Sequence, residues 1–534
     1  MSSCRACGFA WLSLVLTLGG AARPQAPPSA AGYIRQAKAD MAEKNYQGAL
    51  DAAQKAVKLD PRSAEAETLT GMAEFGLGSL EAAQKHLEAA LQLEPGLLLA
   101  RRTLAATYLE QKRAKDAERE FKRILVSDPK DFVSLYSLGL ALLMDDQPAD
   151  ARRHFEMASA QKPGDPSALV GILQADLRLN RPSQSAADLA KLDAELNTHD
   201  PLRHRVAVLL ASEGAYDLAI DEFERLRQAD PESYDLSYDL ALAYHRARKE
   251  AQASELLQNL LARGEKAELE NLLGDVELNR GNPSTALAAL RRAADLEPRS
   301  EDYRYDYAQA LAHEWILDQA LKVFARAASD FPNSARMWLG WGAAYYLAGR
   351  YPEATQTLLH AAEIAPQAPE VYYLLGRVYD ASGSLQDTIA KRFDGYLRTD
   401  PPDAWAHYFY GRILAESDQP TSFGKLSEAQ EHLERAIALD HDLAEAHTEL
   451  GKVLDERGQV QVARKELELA VQLAPQSSAA YYRLAQVYRK SGESALAQTA
   501  LAKFQQLKAE ERKNLDREEI QGFLERAKQR TAGQ

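Results

Sequence analysis

Residues 335–366 read ARMWLGWGAAYYLAGRYPEATQTLLHAAEIAP. Apolar residues recur there three and four apart, the spacing of one helix face. Gly349, the fifteenth residue, interrupts the pattern and Pro366 ends it. The stretch therefore reads as two short helices joined by a turn. Its small residues, Gly342, Ala354 and Ala361, alternate with the large ones, Trp338, Trp341, Tyr345 and Leu358. Small residues let two helices approach closely, and bulky ones fill the gap that remains.

The pattern repeats in both directions. Pro61, Pro95, Pro129 and Pro163 are each 34 residues apart, as are Pro298, Pro332 and Pro366, and His441 and Pro475. With each unit closing two residues past its proline, fourteen units run from residue 30 to residue 511. They begin at Ala30, Ala64, Leu98, Phe132, Pro166, Asp200, Tyr234, Ala267, Glu301, Ala335, Pro369, Ala404, Ala444 and Ser478. The fifteenth position is often glycine (Gly78, Gly214, Gly458), which suits the left-handed residue that ends a helix. The last position is often Ser or Asp (Ser63, Asp131, Asp165, Ser233, Ser300, Ser334, Ser477), which suits an N-cap for the next helix. The second helices carry sets such as Ala83, Leu87, Ala90 and Ala151, Phe155, Ala158. The first helices carry Leu138–Gly139, Leu273–Gly274, Leu375–Gly376 and Leu450–Gly451.

An early aromatic, Leu-Gly and Tyr in the first helix, then Ala, a bulky residue and Ala in the second, then Pro, resembles the tetratricopeptide repeat (TPR) family. Trp338, Trp341–Gly342, Tyr345, Ala354, Leu358, Ala361 and Pro366 carry most of that pattern in one unit. The resemblance implies an all-α TPR solenoid, a right-handed superhelix of about fourteen helix-turn-helix units, spanning residues 30–511. Two units depart from it. The fifth, residues 166–199, lacks the Leu-Gly pair, and the twelfth carries six extra residues with a loop over 416–429. Residues 512–534 read as a polar capping helix and tail, as the end of a repeat array requires.

On a helical wheel, positions four, seven, eight and eleven of the first helix cluster on a packing side. Positions two, five, nine, twelve and thirteen lie opposite, and the TPR resemblance makes that face the concave groove. Position five is Tyr136, Tyr238, Tyr305, Tyr373, Tyr408 and Tyr482 in six units. Tyr346, Arg377, Trp405 and Arg412 fall on the same face, giving ten candidate partner-binding residues. Tyrosine and arginine are favoured at binding surfaces because they combine contact area with hydrogen bonds. In the segment VYYLLGRVYDASG, residues 371–383, this register puts Tyr372 on the packing side and Tyr373 on the groove side.

Other readings find less support. The Lys and Asn set of chaperone-binding TPRs is missing at positions five and nine, where units eight and thirteen have Asn271, Asp275 and Thr448, Lys452. The asparagine run of the TPR half of O-GlcNAc transferase is also missing. No phosphate loop, HExxH or GxSxG motif occurs, so neither catalytic residues nor a cofactor or metal is expected. His441 and His447 have the wrong spacing for one helix face and read as solvated. A formal net charge of −14 argues against a nucleic-acid partner.

Residues 1–22 read as an export signal. Arg5 precedes the apolar run FAWLSLVLTL (9–18), and Gly20 and Ala22 suit cleavage before Arg23. A Pro/Ala-rich lead-in, 23–29, follows. The two cysteines, Cys4 and Cys7, lie in this leader, and CRAC has no second ligand pair. The expectation is a non-enzymatic protein- or peptide-binding TPR scaffold in a bacterial cell envelope, periplasmic or extracellular. The alternative function is an accessory subunit of an envelope polysaccharide synthesis or export complex, or another enzyme complex. An uncleaved leader would instead anchor the chain to the membrane.

Overall fold

A computed structural model describes residues 29–196, 200–399, 401–416 and 423–511. The leader with its cysteines, residues 23–28 of the lead-in, residues 417–422 of the insertion and the 512–534 tail lie outside the described residues. Twenty-eight α-helices and no strand occur among the described residues. The first helix of each repeat begins on the residue that opens the unit, from Ala30 to Ser478. The sixth alone begins one residue later, at Pro201, with Asp200 as its cap.

Local chemistry sets these boundaries. Ser63 accepts from Ala66 N at 3.2 Å, Asp131 from Ser134 N at 3.0 Å and Ser477 from Ala480 N at 3.3 Å. Each satisfies one of the amide groups that a helix start leaves open. At the other end the fifteenth residue turns left-handed in every repeat where it is described. Gly458 has φ +77°, and Lys112 adopts φ +59° in the same place. A side chain there is strained, yet the turn still forms, because the packing of both helices demands it.

The helices meet where glycine removes a side chain. A Cβ on Gly139 would lie 2.5 Å from Phe155, and one on Gly451 would lie 2.5 Å from Leu467. Positions eight and twenty-four thus fit as socket and plug, and Phe155 and Leu467 are fully buried. A tyrosine at position eleven ties a repeat to its predecessor. Tyr108 donates to Glu88 at 2.9 Å and Tyr488 to Glu468 at 2.9 Å, with Arg113 and Arg464 over the rings.

The chain forms two compact bodies, residues up to Leu256 and residues from Leu257. The second contains two irregular repeats. In repeat 11 the first helix, Pro369–Val378, stops early and two 3-10 turns follow, Tyr379–Ala381 and Gly383–Leu385, before Gln386–Leu397. This shift takes the second helix off Gly376, and Phe409 of the next repeat plugs the socket instead. A Cβ on Gly376 would lie 2.2 Å from the Phe409 ring. In repeat 12 the second helix starts at Phe423, so much of the stretch expected as a loop over 416–429 is helical. Its residues Lys425–Ala429 are mostly good helix formers, and Leu426 packs onto the core.

Candidate functional site

Four successive first helices of the second body position the site: Ala335–Leu347, Pro369–Val378, Ala404–Ala415 and Ala444–Glu456. Tyr346, Arg377, Trp405, Tyr408, Phe409, Arg412 and Glu445 line one cavity of about 250 Å³. Arg377 donates to Tyr346 Oη through Nε at 3.4 Å and Nη2 at 3.3 Å. Arg412 Nη2 donates to Gly376 O at 3.3 Å and Asp380 Oδ1 at 3.2 Å, and its guanidinium lies 5.8 Å from the Phe409 ring centre. Arg412 Nε is buried and meets no acceptor among the described residues. The ring of Trp405 stands edge-on to Tyr408 at 5.7 Å and to Tyr373 at 5.2 Å.

Burial pushes the Tyr408 phenol up to about 12, against the pull of Arg412, so it stays a protonated donor at neutral pH. Burial also raises the Glu416 carboxyl, with Arg412 and Lys452 opposing. For Arg412 burial favours the neutral form, but Tyr408, Asp380, Glu416 and Glu449 together outweigh it and raise the group. The pocket is therefore a set of aromatic walls with two fixed guanidinium groups and a carboxylate, Glu445, at the lining.

Five of the ten candidate residues meet here: Tyr346, Arg377, Trp405, Tyr408 and Arg412. The other five do not, and position five is not open throughout. Tyr305 is 1% exposed, sealed against Phe324 with the Arg336 guanidinium 4.6 Å above its ring. Tyr373 is 8% exposed beneath Trp405 and Phe409. Both are corrected from groove-lining to packing residues. A wheel shows one helix, but here the following first helix covers its neighbour's fifth position. In the first body Tyr136 packs on Phe132 and Phe155, and Tyr238 stacks on Tyr234 at 6.1 Å. Tyr482, 40% exposed, lies beside Phe504.

Tyr372 is on the packing side as its register requires. It stacks on Tyr396 at 3.9 Å and donates to Pro366 O at 2.8 Å. Sequence reading missed Phe409 and Glu445 in the lining; the aromatic triplet Tyr408–Tyr410 was the available signal. It also misread His447, which is 3% exposed and bonded to Glu466 at 2.8 Å and His441 O at 3.1 Å. Its partner lies on the second helix, beyond the reach of a single-helix wheel.

Two tetratricopeptide repeat profiles match the chain. One covers residues 74–138, 210–276 and 317–378, the other 34–97, 271–314, 422–478 and 448–510. Together they span well over half of it. The chain belongs to the tetratricopeptide repeat family. A TPR repeat-containing protein of Treponema pallidum (strain Nichols) is 25% identical over 289 residues, 53% of this chain and 34% of that protein. The chain thus spans about a third of the length of that relative. Among solved TPR structures, the APC/C hetero-tetramer Cut9-Hcn1 gives a TM-score of 0.33 at 15% identity, over 85% of this chain and 96% of that one. MamA from Desulfovibrio magneticus RS-1 gives 0.31 at 20% identity, over 34% and 99%. Neither TPR profile covers residues 379–421. Trp405, Tyr408, Phe409 and Arg412 lie in that gap, while Tyr346, Arg377 and Glu445 lie in matched stretches. No helix among the described residues is long and apolar enough to cross a membrane.

Proposed function

We propose that this chain is a non-enzymatic scaffold that binds a protein or peptide partner, with the pocket of repeats 10–13 as its anchor point. One observation carries the reading: residues that the repeat register alone puts on one helix face converge on a single aromatic and arginine cavity. Its volume suits one side chain of an extended segment rather than a whole cofactor. Aromatic walls supply contact area, and the lining guanidinium groups of Arg377 and Arg412 supply donors for a backbone carbonyl of the ligand. Export to a bacterial envelope belongs to the same proposal and rests on the pattern of residues 1–22.

Selection of a displayed peptide library on the immobilised chain tests the binding. A Trp405→Ala/Tyr408→Ala variant with unchanged helical circular dichroism should lose roughly tenfold or more in affinity for the selected peptides. Peptides that bind this variant as well as the parent would refute the anchor. N-terminal sequencing of the protein from its native host tests export: a start near Arg23 supports it, and a retained Met1 overturns it.

A further inference from the structure

The fourth residue of the repeat has a recurring partner nineteen residues on, in the second helix of the same repeat. Glu67 meets His86 at 2.6 Å, Arg101 meets Glu120 at 2.6 Å, Arg203 meets Glu222 at 2.8 Å and His447 meets Glu466 at 2.8 Å. Glu270 and Arg292 make a close variant at 2.7 Å. Each pair joins a carboxylate to a cation or a histidine. Repeat 12 keeps the position and changes the chemistry. Its six extra residues bring His407 opposite His432, and the two Nδ1 atoms lie 2.9 Å apart.

Two imidazoles can share that hydrogen bond only while one Nδ1 is bare. The neutral pair and the singly charged pair both satisfy this. A second proton puts two N–H groups and two positive charges face to face, and the pair must separate. His407 is 5% exposed, so water does little to screen it. Tyr410 stands edge-on to His432 at 4.9 Å on the same side. Among the described residues no third His, Cys, Asp or Glu groups with the pair as a metal site would require.

Acidic groups face His432 from two helices. Glu428 and Glu431 on its own second helix and Asp394 on Gln386–Leu397 favour the charged form of His432, but burial outweighs them and holds it below the usual histidine range. From repeats 11 and 13, Arg377, Glu445 and Glu449 act on the opposite, pocket face of Ala404–Ala415, around Tyr408. Asp403 caps that helix and is raised by burial, partly offset by its bonds to Ala406 N and Tyr396.

We propose that the His407–His432 pair is an acid-sensitive latch on the helix pair that carries the pocket. Protonation releases the second helix of repeat 12 from the first, which bears Trp405, Tyr408 and Arg412, and weakens ligand binding. That last step rests on the pocket reading above; the latch itself does not.

The sign follows from linkage. A histidine lowered in the folded state contributes stability that is present above its unfolded value of 6.5 and lost as pH falls below it. His447 goes the other way, raised chiefly by its bond to Glu466. Its contribution is full below 6.5 and lost as pH rises through its folded value. Acid should therefore loosen repeat 12 and spare repeat 13.

Hydrogen exchange on the full chain at pH 7.5 and 5.5, corrected for intrinsic rates, tests this. Helices Ala404–Ala415 and Phe423–Leu439 should lose at least tenfold in protection at pH 5.5, while Ala444–Glu456 and Val460–Leu473 do not. The variant His432→Glu recreates the histidine–carboxylate pair of repeat 13 and should keep repeat 12 protected at pH 5.5. It leaves Asp403 untouched, so continued acid loosening in this variant would overturn the latch. Unchanged protection of repeat 12 in the parent would overturn it too. If His432→Glu does not fold, NMR titration of the parent decides: one step of the pair below pH 6 supports the latch, and two steps near 6.5 overturn it. For the coupling, selected peptides should bind the parent at least fivefold more weakly at pH 5.5 than at 7.5, and His432→Glu about equally. Equal acid losses in both proteins overturn the coupling. Absence of binding at pH 7.5 would refute the pocket reading while leaving the exchange result for the latch intact.

Discussion

Tyr136 in repeat 4 and Tyr408 in repeat 12 hold the same place in their repeats and end in different surroundings. Tyr136 lies on Phe132 of its own helix and against Phe155, the plug of its own repeat. There it packs against an apolar cluster of Leu135, Ala158 and Ala168. Tyr408 stands among residues from four first helices, beside two arginines and an indole. The difference comes from one displaced plug. In repeat 4 the Gly139 socket is filled from within by Phe155; in repeat 11 the Gly376 socket is filled by Phe409 from the next repeat. Phe409 shares its helix with Trp405, which meets Tyr373, and with Tyr408, which lines the pocket with Arg377. A pocket-lining position is thus made by how neighbouring repeats are joined, not by the residue at position five.

The largest test of this comparison is the plug itself. Phe409→Ala and Phe155→Ala each remove a buried ring and should each cost about 3–5 kcal/mol in urea unfolding. Only Phe409→Ala should also abolish binding of pocket-selected peptides, because Phe409 lines that pocket and Phe155 does not. A milder probe overfills a socket. Gly139→Ala puts a Cβ against Phe155, and thermal unfolding should show a loss of about 1–3 kcal/mol with peptide binding unaffected. Tyr136→Ala should change peptide affinity by less than about twofold, against the roughly tenfold loss from Trp405→Ala/Tyr408→Ala, measured by titration calorimetry. The smallest effects belong to the turns that both regions share. Gly458→Ala should destabilise by about 1 kcal/mol, and Lys112→Gly should stabilise by less than about 1 kcal/mol, since glycine removes strain but loses more entropy on folding.

The repeat was legible because its determinants are local. Caps such as Ser63 and Ser477 bond within three residues of themselves, and the left-handed turn at position fifteen needs only its own backbone. The socket glycines were legible too, as Leu-Gly pairs. The candidate site was legible only in part. The register found the face of Tyr346, Arg377, Trp405, Tyr408 and Arg412, but it included Tyr305 and Tyr373, which the next helix covers. The histidine pair was hidden because the insertion stretches a spacing of nineteen to twenty-five.

The amino-acid sequence by itself determined the period, the helix ends of the regular repeats and the packing side of most first helices, since each depends on residues a turn or two apart. Only the tertiary structure decided which aromatic rings were buried, which glycine took a plug from its neighbour, and where two arginines and four aromatic side chains met. Those outcomes depend on side chains thirty or more residues apart being brought within a few ångströms. One-residue shifts in a turn, such as the one after Val378, change them while leaving the repeat pattern readable.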